Sequence, residues 1–422
     1  MTARKAAFTS LMRCEKAGRY TNIELDSAIK KYSLDEEERA LYTALVYGVT
    51  ERRITLDFLI DSFSDIKTSR ISPAARTVLR MGIYQILFLE RIPDHAAVYE
   101  SVQLAKQYSR AAAGFVNAIL RRTLREREEI KYPDKATEAG LRSDLYGMWC
   151  EQYGNAKADK IADSMTEHAY LTLHADTLRI DAHSLRREIE CGSTVGRLSP
   201  DCVRLTENMP VTDFAPLEDG LCFVQDESSA YAASLLDARP GMTVCDVCAC
   251  PGGKSFSAAL SMKNEGVIYS FDLHENKLSL IENGAKRLGI DIIKTEARDA
   301  REPSEVLFSR ADRVLCDVPC SGFGVLRKKP ELRSRAVSET EDLPQIQYAI
   351  LDASSRYVKS GGLLVYSTCT LNKRENEEVA SRFLREHGEF SPAPFYDSGH
   401  MRTIFPFEFD SDGFFAARFV RN

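Results

Sequence analysis

Two short motifs in the last third of the chain each present a cysteine beside acids and hydroxyls: Asp317-Val318-Pro319-Cys320-Ser321-Gly322 and Ser367-Thr368-Cys369-Thr370. Each follows an apolar run with the character of a buried strand. Asp246, Asp272 and the pair Arg298-Asp299 stand after three other such runs. Between Asp246 and Lys254 lies Val247-Cys248-Ala249-Cys250-Pro251-Gly252-Gly253, a sharp break before a helical stretch. Glycine there permits backbone angles other residues resist and lets a ligand approach the main chain. In open α/β sheets, ligand residues lie just beyond the C-terminal ends of strands. Four acids and two cysteines at successive strand ends point to one shared pocket.

Acids in those places can accept hydrogen bonds from ribose hydroxyls and from the exocyclic amine of an adenine-containing cofactor. The turn is neither a GxGxxG nor a Walker loop, because Gly252-Gly253-Lys254 lacks the preceding Gly-x4 spacing, so nothing cradles a polyphosphate. A nucleoside with an uncharged tail, such as S-adenosylmethionine, fits better. Two cysteines facing that pocket point to nucleophilic catalysis. C5 of cytosine is a poor nucleophile, but a thiolate adding at C6 turns the ring into an enamine that can attack a methyl sulfonium. A second group must then take the C5 proton so that the thiolate can leave. One cysteine as nucleophile and the other as base would satisfy both steps. The thiolate is a minor species at an unperturbed pKa, so the site must favour it by means the sequence does not show.

The elements that must position these groups follow from apolar periodicity. Strands are expected at 242–247, 267–271, 292–295, 313–316 and 362–366, with a closing strand at 414–420. Helices are expected at 254–261, 275–288, 341–359 and 372–387. Strands alternating with helices make residues 217–422 a doubly wound, Rossmann-like α/β domain with a mainly parallel sheet. Residues 146–216 read as a small α/β subdomain, with Trp149 at its start as a packing residue. The stretch 127–145 is polar and contains a proline, which places a linker at 131–145. Residues 1–130 look all-helical. Ser33-Leu34-Asp35-Glu36 is a capping pattern, and Ser72-Pro73 opens a helix over 74–89 whose apolar residues cover most of its circumference, marking it as the buried centre.

Composition sets the broad class. Of 422 residues, 44% are hydrophobic and 28% charged, as in soluble globular proteins. The N-terminus has no apolar run suited to a signal peptide, and no stretch approaches the ~18 apolar residues of a membrane span. A cytoplasmic protein with its 11 cysteines as thiols is expected. The net charge of −6 is unevenly spread: residues 1–130 hold 21 Lys+Arg against 17 Asp+Glu, and the remainder 35 against 45. Arg121, Arg122, Arg125 and Arg127 form the clearest basic cluster, compatible with a local nucleic-acid contact or with a solvated helix end. No metal is expected, since Cys245-x2-Cys248-x-Cys250 alternates along a strand and a turn and no second Cys/His pair has zinc spacing.

Two resemblances sharpen this reading. LRMGIYQILFLERIPDHAAVYESVQLAKQYSRAAAGFVNAILRR, with Arg4, Asn117 and the Leu120-Arg121-Arg122 end, resembles the NusB family of helical RNA-binding domains over most of residues 4–126. VCDVCACPGGKSF, DRVLCDVPCSGFGVLRKKPELR, GGLLVYSTCTLNKRENEEV, FPFEFDSDGFFAARF and the upstream FVQDESS resemble the NOL/NOP/Sun class of RNA cytosine-C5 methyltransferases. With the helical front module, the match points to the bacterial Sun (RsmB) branch, whose members act on small-subunit (16S) ribosomal RNA. The resemblance implies Cys369 as the C6 nucleophile, Cys320 as the residue assisting release, Asp317 at the target cytosine and Lys254 supporting the reacting centre. Ala249, Cys250, Pro251, Gly252, Gly253, Lys254, Asp272, Asp299 and Asp317 would line the S-adenosylmethionine pocket. Ribosomal RNA is the implied partner, with the front module and small subdomain positioning it and Arg327, Lys328 and Lys329 near its phosphates; a monomer is expected. The chain departs from the family pattern at Cys250 and Val318, each where alanine is usual, and at Ile180-Asp181, where Val-Asn is usual. Another RNA substrate (transfer RNA or large-subunit ribosomal RNA), or a non-catalytic RNA-binding protein with a degenerate methyltransferase domain, are the competing readings.

Overall fold

Ser72 accepts a hydrogen bond from the Ala75 amide and Pro73 occupies the first turn, so the helix Pro73–Phe88 starts where its cap and fixed φ allow. Its Val78, Leu79, Met81 and Ile83 are completely buried, against the helices Glu36–Glu51, Asp94–Tyr108 and Ala113–Glu126. The computed structural model describes residues 1–17, 21–32, 34–207, 214–396 and 399–422, and these form two units. The first comprises Met1–Thr166 and Leu326–Val337. Asp35 caps the helix Glu36–Glu51 through the Glu38 amide; Ser33 lies outside the described residues. Part of the basic cluster is neutralised locally, since Arg122 pairs with Glu126 and Arg127 with Asp94.

The stretch expected as a linker is folded. Asp134 caps a short helix, Lys135–Ala139, which Gly140 closes at φ 69°, and a second helix runs Ser143–Tyr153. Ala136, Ala139, Leu141 and Leu145 are buried, and Thr55 Oγ1 donates to the Thr137 carbonyl at 2.7 Å. The few small apolar residues of these turns are too sparse to register as periodicity, which is why the stretch reads as polar. With the helix Asn155–Ser164 and the fully buried Trp149, the helical unit therefore reaches Thr166 instead of ending near 130. It is completed by the returning segment Leu326–Val337. There Arg333, 1% exposed, donates to the carbonyls of Ala139 (2.8 Å) and Met165 and lies 3.4 Å from the Glu51 carboxylate.

The second unit comprises Glu167–Val325 and Ser338–Asn422. Its smaller sheet joins β1 (Thr172–Ala175), β2 (Ser193–Val195), β3 (Cys202–Leu205) and β4 (Cys222–Val224) in the order β2-β3-β1-β4, every pair antiparallel. Asp181 caps the adjoining helix Ala182–Glu188, accepting from the Ser184 amide at 2.9 Å. β4 lies beyond the boundary expected at 216. It is only three residues long, and its place is fixed by pairing with β1 instead of by local pattern. The following Gln225-Asp226-Glu227 is a brace: Asp226 caps the helix Glu227–Ser234 and also accepts from the Asp412 amide, and Glu227 accepts from the amides of Leu198 and Ser199.

Among the described residues, eight strands make the larger sheet: β5 (Thr243–Asp246), β6 (Val267–Asp272), β7 (Ile293–Ala297), β8 (Ala311–Asp317), β9 (Val358–Thr368), β10 (Phe390–Pro392), β11 (Met401–Ile404) and β12 (Phe414–Arg421). The order is β10-β12-β9-β8-β5-β6-β7, with β11 on β12. β7, β6, β5, β8 and β9 run parallel, and β12 closes the sheet antiparallel to β9. Alternate side chains enter separate apolar layers: Val244, Ile268, Leu315 and Val365 in one, Cys245, Val314, Cys316 and Leu364 in the other. Both faces are thus covered, as the unbroken apolar runs require. The doubly wound Rossmann-like fold is as expected; β10 and β11 were not anticipated. Strand order reverses between β5 and β8, so a crevice opens at their C-terminal ends.

Candidate active site

At that switch point β5 ends in Asp246, and the chain turns through Ala249–Gly253 into the helix Gly253–Ser261. Ala249 donates to the Phe271 carbonyl (2.7 Å), and Gly252 adopts φ 112°, where an added Cβ would also meet the Phe256 ring at 2.5 Å. Asp246 is buried and accepts from Ser255 Oγ at 2.7 Å, and burial pushes its carboxyl up to about 7. At the end of β6, Asp272 accepts from the amides of His274 (3.0 Å) and Cys250 (3.4 Å), which ties the glycine turn to the next strand. Asp299, just past β7, is gripped by the Arg301 side chain at 2.6–3.1 Å; those hydrogen bonds hold it below the ordinary carboxylate range. The Arg298 amide donates to the Asp272 carbonyl at 2.9 Å, so the ends of β6 and β7 are joined.

Lys254 and Asp317 meet directly. The ammonium lies 2.6 Å from Asp317 Oδ2, while Ser367 Oγ donates to Oδ1 at 2.8 Å. Burial works against the charge on Lys254, but the Asp317 carboxylate outweighs it, and Asp246 and Cys369 add to the attraction, so the ammonium is held above its ordinary value. The two motif cysteines also converge, with Cys320 Sγ and Cys369 Sγ 3.2 Å apart. The hydrogen bond to Cys369 and then burial push the Cys320 thiol well above its ordinary value. Either sulfur can be the donor in that contact, and the Cys369 sulfur is among the charges that raise Lys254. Backbone contact fixes the spacing, because Gly324 donates to the Cys369 carbonyl (3.0 Å) and accepts from the Gly413 amide (2.8 Å). A Cβ on Gly324 would stand 2.0 Å from the Gly413 oxygen.

The other strand-end cysteines have different surroundings. Burial raises Cys245 and Cys316 to about 12, and Cys248 well above its usual range. Cys250, raised to about 12 by burial and by Asp272, contacts the Lys277 carbonyl at 3.2 Å. Val318 is buried, and Asp181 serves as a helix cap, so each departure from the family pattern has a local packing role. Sequence reasoning missed Ser255 and the buried Glu375, neither of which stands in a position that spacing alone singles out, and it named Ser367 in its strand-end motif without giving it a role.

Comparison with known proteins fits this geometry. Residues 233–420 match the model of "16S rRNA methyltransferase RsmB/F", and residues 1–125 that of the NusB family. Over 439 residues the chain is 37% identical to the probable ribosomal RNA small subunit methyltransferase B of Bacillus subtilis, covering 98% of this chain and 97% of that protein. The chain belongs to the RsmB/F family of 16S rRNA methyltransferases. The B protein of Thermus thermophilus is 33% identical over 395 residues, covering 93% of this chain and 90% of its own. At the level of fold, NSun6 from Pyrococcus horikoshii, solved with SFG, superposes at a TM-score of 0.59 and 19% identity, over 66% of this chain and 98% of its own. In RsmB/F terms, the PC and TC motifs end β8 and β9, adjacent parallel strands, which is why residues 49 positions apart meet.

The residues at the crevice have a definite chemical preference. Asp246, Asp272, Asp299 and Asp317 disfavour a polyphosphate, and the cations beside them, Lys254 and Arg298, are already paired with Asp317 and Glu296. Carboxylates suit hydroxyl and amine donors and a positively charged sulfur. The donor set thus fits S-adenosylmethionine.

Proposed function

We propose that this chain methylates C5 of a cytosine in 16S ribosomal RNA through a covalent bond between Cys369 and C6. The observation that carries the reading is the thiol pair, 3.2 Å apart and beside the Lys254–Asp317 ion pair. The family membership supports ribosomal RNA as substrate, and a fold relative solved with an S-adenosylmethionine analogue supports the cofactor. Ala249–Lys254, Asp272, Asp299 and Asp317 would hold that cofactor, which when bound supplies an electrophilic methyl group.

In this reading Cys369, as thiolate, adds to C6, and the electron pair of the C5–C6 bond becomes available at C5. Asp317, pinned by Lys254 and Ser367, hydrogen-bonds the cytosine edge and stabilises the activated ring. After C5 is methylated, Cys320 removes the C5 proton, the C5–C6 double bond re-forms and the Cys369 sulfur departs. Cys320 can act only as a thiolate, so its own proton must first pass to solvent; once Cys369 is bonded to C6 it is a neutral thioether, and its share in holding that proton is removed. A stacked base cannot reach the thiols, so the target must be unpaired or flipped out. The helical unit and the small sheet would position the RNA, with Arg327, Lys328 and Lys329 as phosphate contacts.

The test is a trap. Cys320→Ala protein incubated with S-adenosylmethionine and unmodified 16S RNA or 30S particles should yield a denaturation-resistant adduct. Loss of that adduct on adding Cys369→Ala supports the assignment. An adduct that persists without Cys369, or methylation that survives Cys369→Ala, sinks it.

A further inference from the structure

Behind the two cysteines lies a carboxylate that the proposed reaction does not use. Glu375 is fully buried, in the loop between β9 and the helix Glu377–Glu386. Its Oε2 accepts from the Ser321 amide (2.9 Å) and from Gln347 Nε2 (2.9 Å), and its Oε1 from Asn372 Nδ2 (3.0 Å). Gln347 Nε2 also donates to the Pro319 carbonyl at 2.9 Å. The same small volume holds the contact between Ser321 Oγ and Thr370 Oγ1 (2.6 Å) and the bond from Asn376 Nδ2 to the Thr370 carbonyl (2.9 Å). Pro319 and Ser321 flank Cys320, and Thr370 follows Cys369. The backbone on either side of one thiol and just beyond the other thus runs into one hydrogen-bonded cluster with Glu375 at its centre.

We propose that Glu375 is a positioning residue that sets the distance between the two thiols, by clamping the PC loop to the TC loop. The argument rests on the two-thiol reading above. A carboxylate is acceptor-only, and here three donors converge on its two oxygens. Glutamine has nearly the same shape but brings an NH2 group, which must face either the Ser321 amide, a donor, or the Asn372 side chain, which could turn its Oδ1 to meet it only by giving up the bond that Oδ1 accepts from the Arg374 amide (3.2 Å). Either way the cluster loses a hydrogen bond. When the clamp is lost, the thiols separate, and release suffers most because Cys320 must reach a proton on a ring already fixed to Cys369.

The experiment uses the full chain and two variants, Glu375→Gln and Thr370→Val, the second removing only the cross-loop hydroxyl contact. In multiple turnover, Glu375→Gln should lower kcat about tenfold to a hundredfold, as for a misplacement near 1 Å. KM for RNA should stay within about threefold, and adduct should accumulate with both cysteines intact. A second readout needs no RNA: oxidation of the free protein with diamide, followed by peptide mass spectrometry of the Cys320–Cys369 disulfide. Wild type should form it readily and Glu375→Gln about fivefold or more slowly, with Thr370→Val between. Wild-type kcat and oxidation rate in Glu375→Gln overturn the proposal. If Glu375→Gln does not fold, unchanged values in Thr370→Val overturn it. If oxidation slows but neither wild type nor variant methylates C5 through an adduct, the clamp stands and the two-thiol function fails.

Discussion

Asp246 shows how much the site asks of a single residue. Its carboxyl, pushed up to about 7 by burial, has an unfolded value near 4. A raised folded value means that the native state holds the proton more tightly than the unfolded chain. The stability it contributes is complete below about pH 4 and lost as pH rises through about 7. Asp246→Asn should therefore flatten the decline, and its advantage over wild type should grow from near zero at pH 4 to at most about 4 kcal/mol at pH 8. Denaturant unfolding at a series of pH values checks this. Lys254→Met strands Asp317 with Ser367 alone, and kcat should fall by about two orders of magnitude. Lys254→Arg should not restore it, because a guanidinium fork cannot replace a compact ammonium at 2.6 Å in a site 13% exposed. Asp317, Cys320 and Cys369 stood out as candidates because they follow points where apolar runs stop, whereas Lys254 lies beyond the glycine turn, and the role expected of each came with the family resemblance. Glu375 could not: in Lys373-Arg374-Glu375-Asn376-Glu377-Glu378 it reads as one more solvated charge, and only tertiary contact reveals that it alone of that run's acids is wholly buried.

At the scale of elements, the loops that carry the thiols are held by backbone contact as much as by side chains. Gly324→Ala puts a methyl against the Gly413 carbonyl, so either the PC loop or the chain entering β12 must move. A loss of about 1–3 kcal/mol in stability with a parallel fall in kcat is expected, read by thermal unfolding and a turnover assay. Asp181→Ala, by contrast, removes a helix cap distant in role from the thiols and should lower the melting temperature slightly with kcat unchanged. The parallel strands β5, β6, β8 and β9 were legible because burial on both faces demands continuous apolar runs, each ended by Asp or a hydroxyl residue. β4, β10 and β11 have three or four residues apiece and take their conformation from the strand beside them, so local pattern could not announce them. The helices Lys135–Ala139 and Ser143–Tyr153 escaped notice for a related reason: their order comes from burial of a few alanines and leucines, not from amphipathic repeats.

The whole molecule is two units, but the chain does not pass through them once each. It leaves the second at Val325, contributes Leu326–Val337 to the first, and returns at Ser338. Arg333 is the anchor of that excursion. Replacing it with Met leaves two carbonyl oxygens without their donor and the Glu51 carboxylate with Arg52 alone, and the full chain should lose about 3 kcal/mol, measurable as a lowered melting temperature. The excursion also bears on modularity. A gene fragment ending at residue 166 encodes every long helix of the front unit and still omits the buried arginine that binds the carbonyls of Ala139 and Met165. Expressed alone, that fragment should be frail, and a synthetic peptide of residues 326–337 should rescue it in trans. Moving this helical module intact into another protein would therefore need two cuts and two splices.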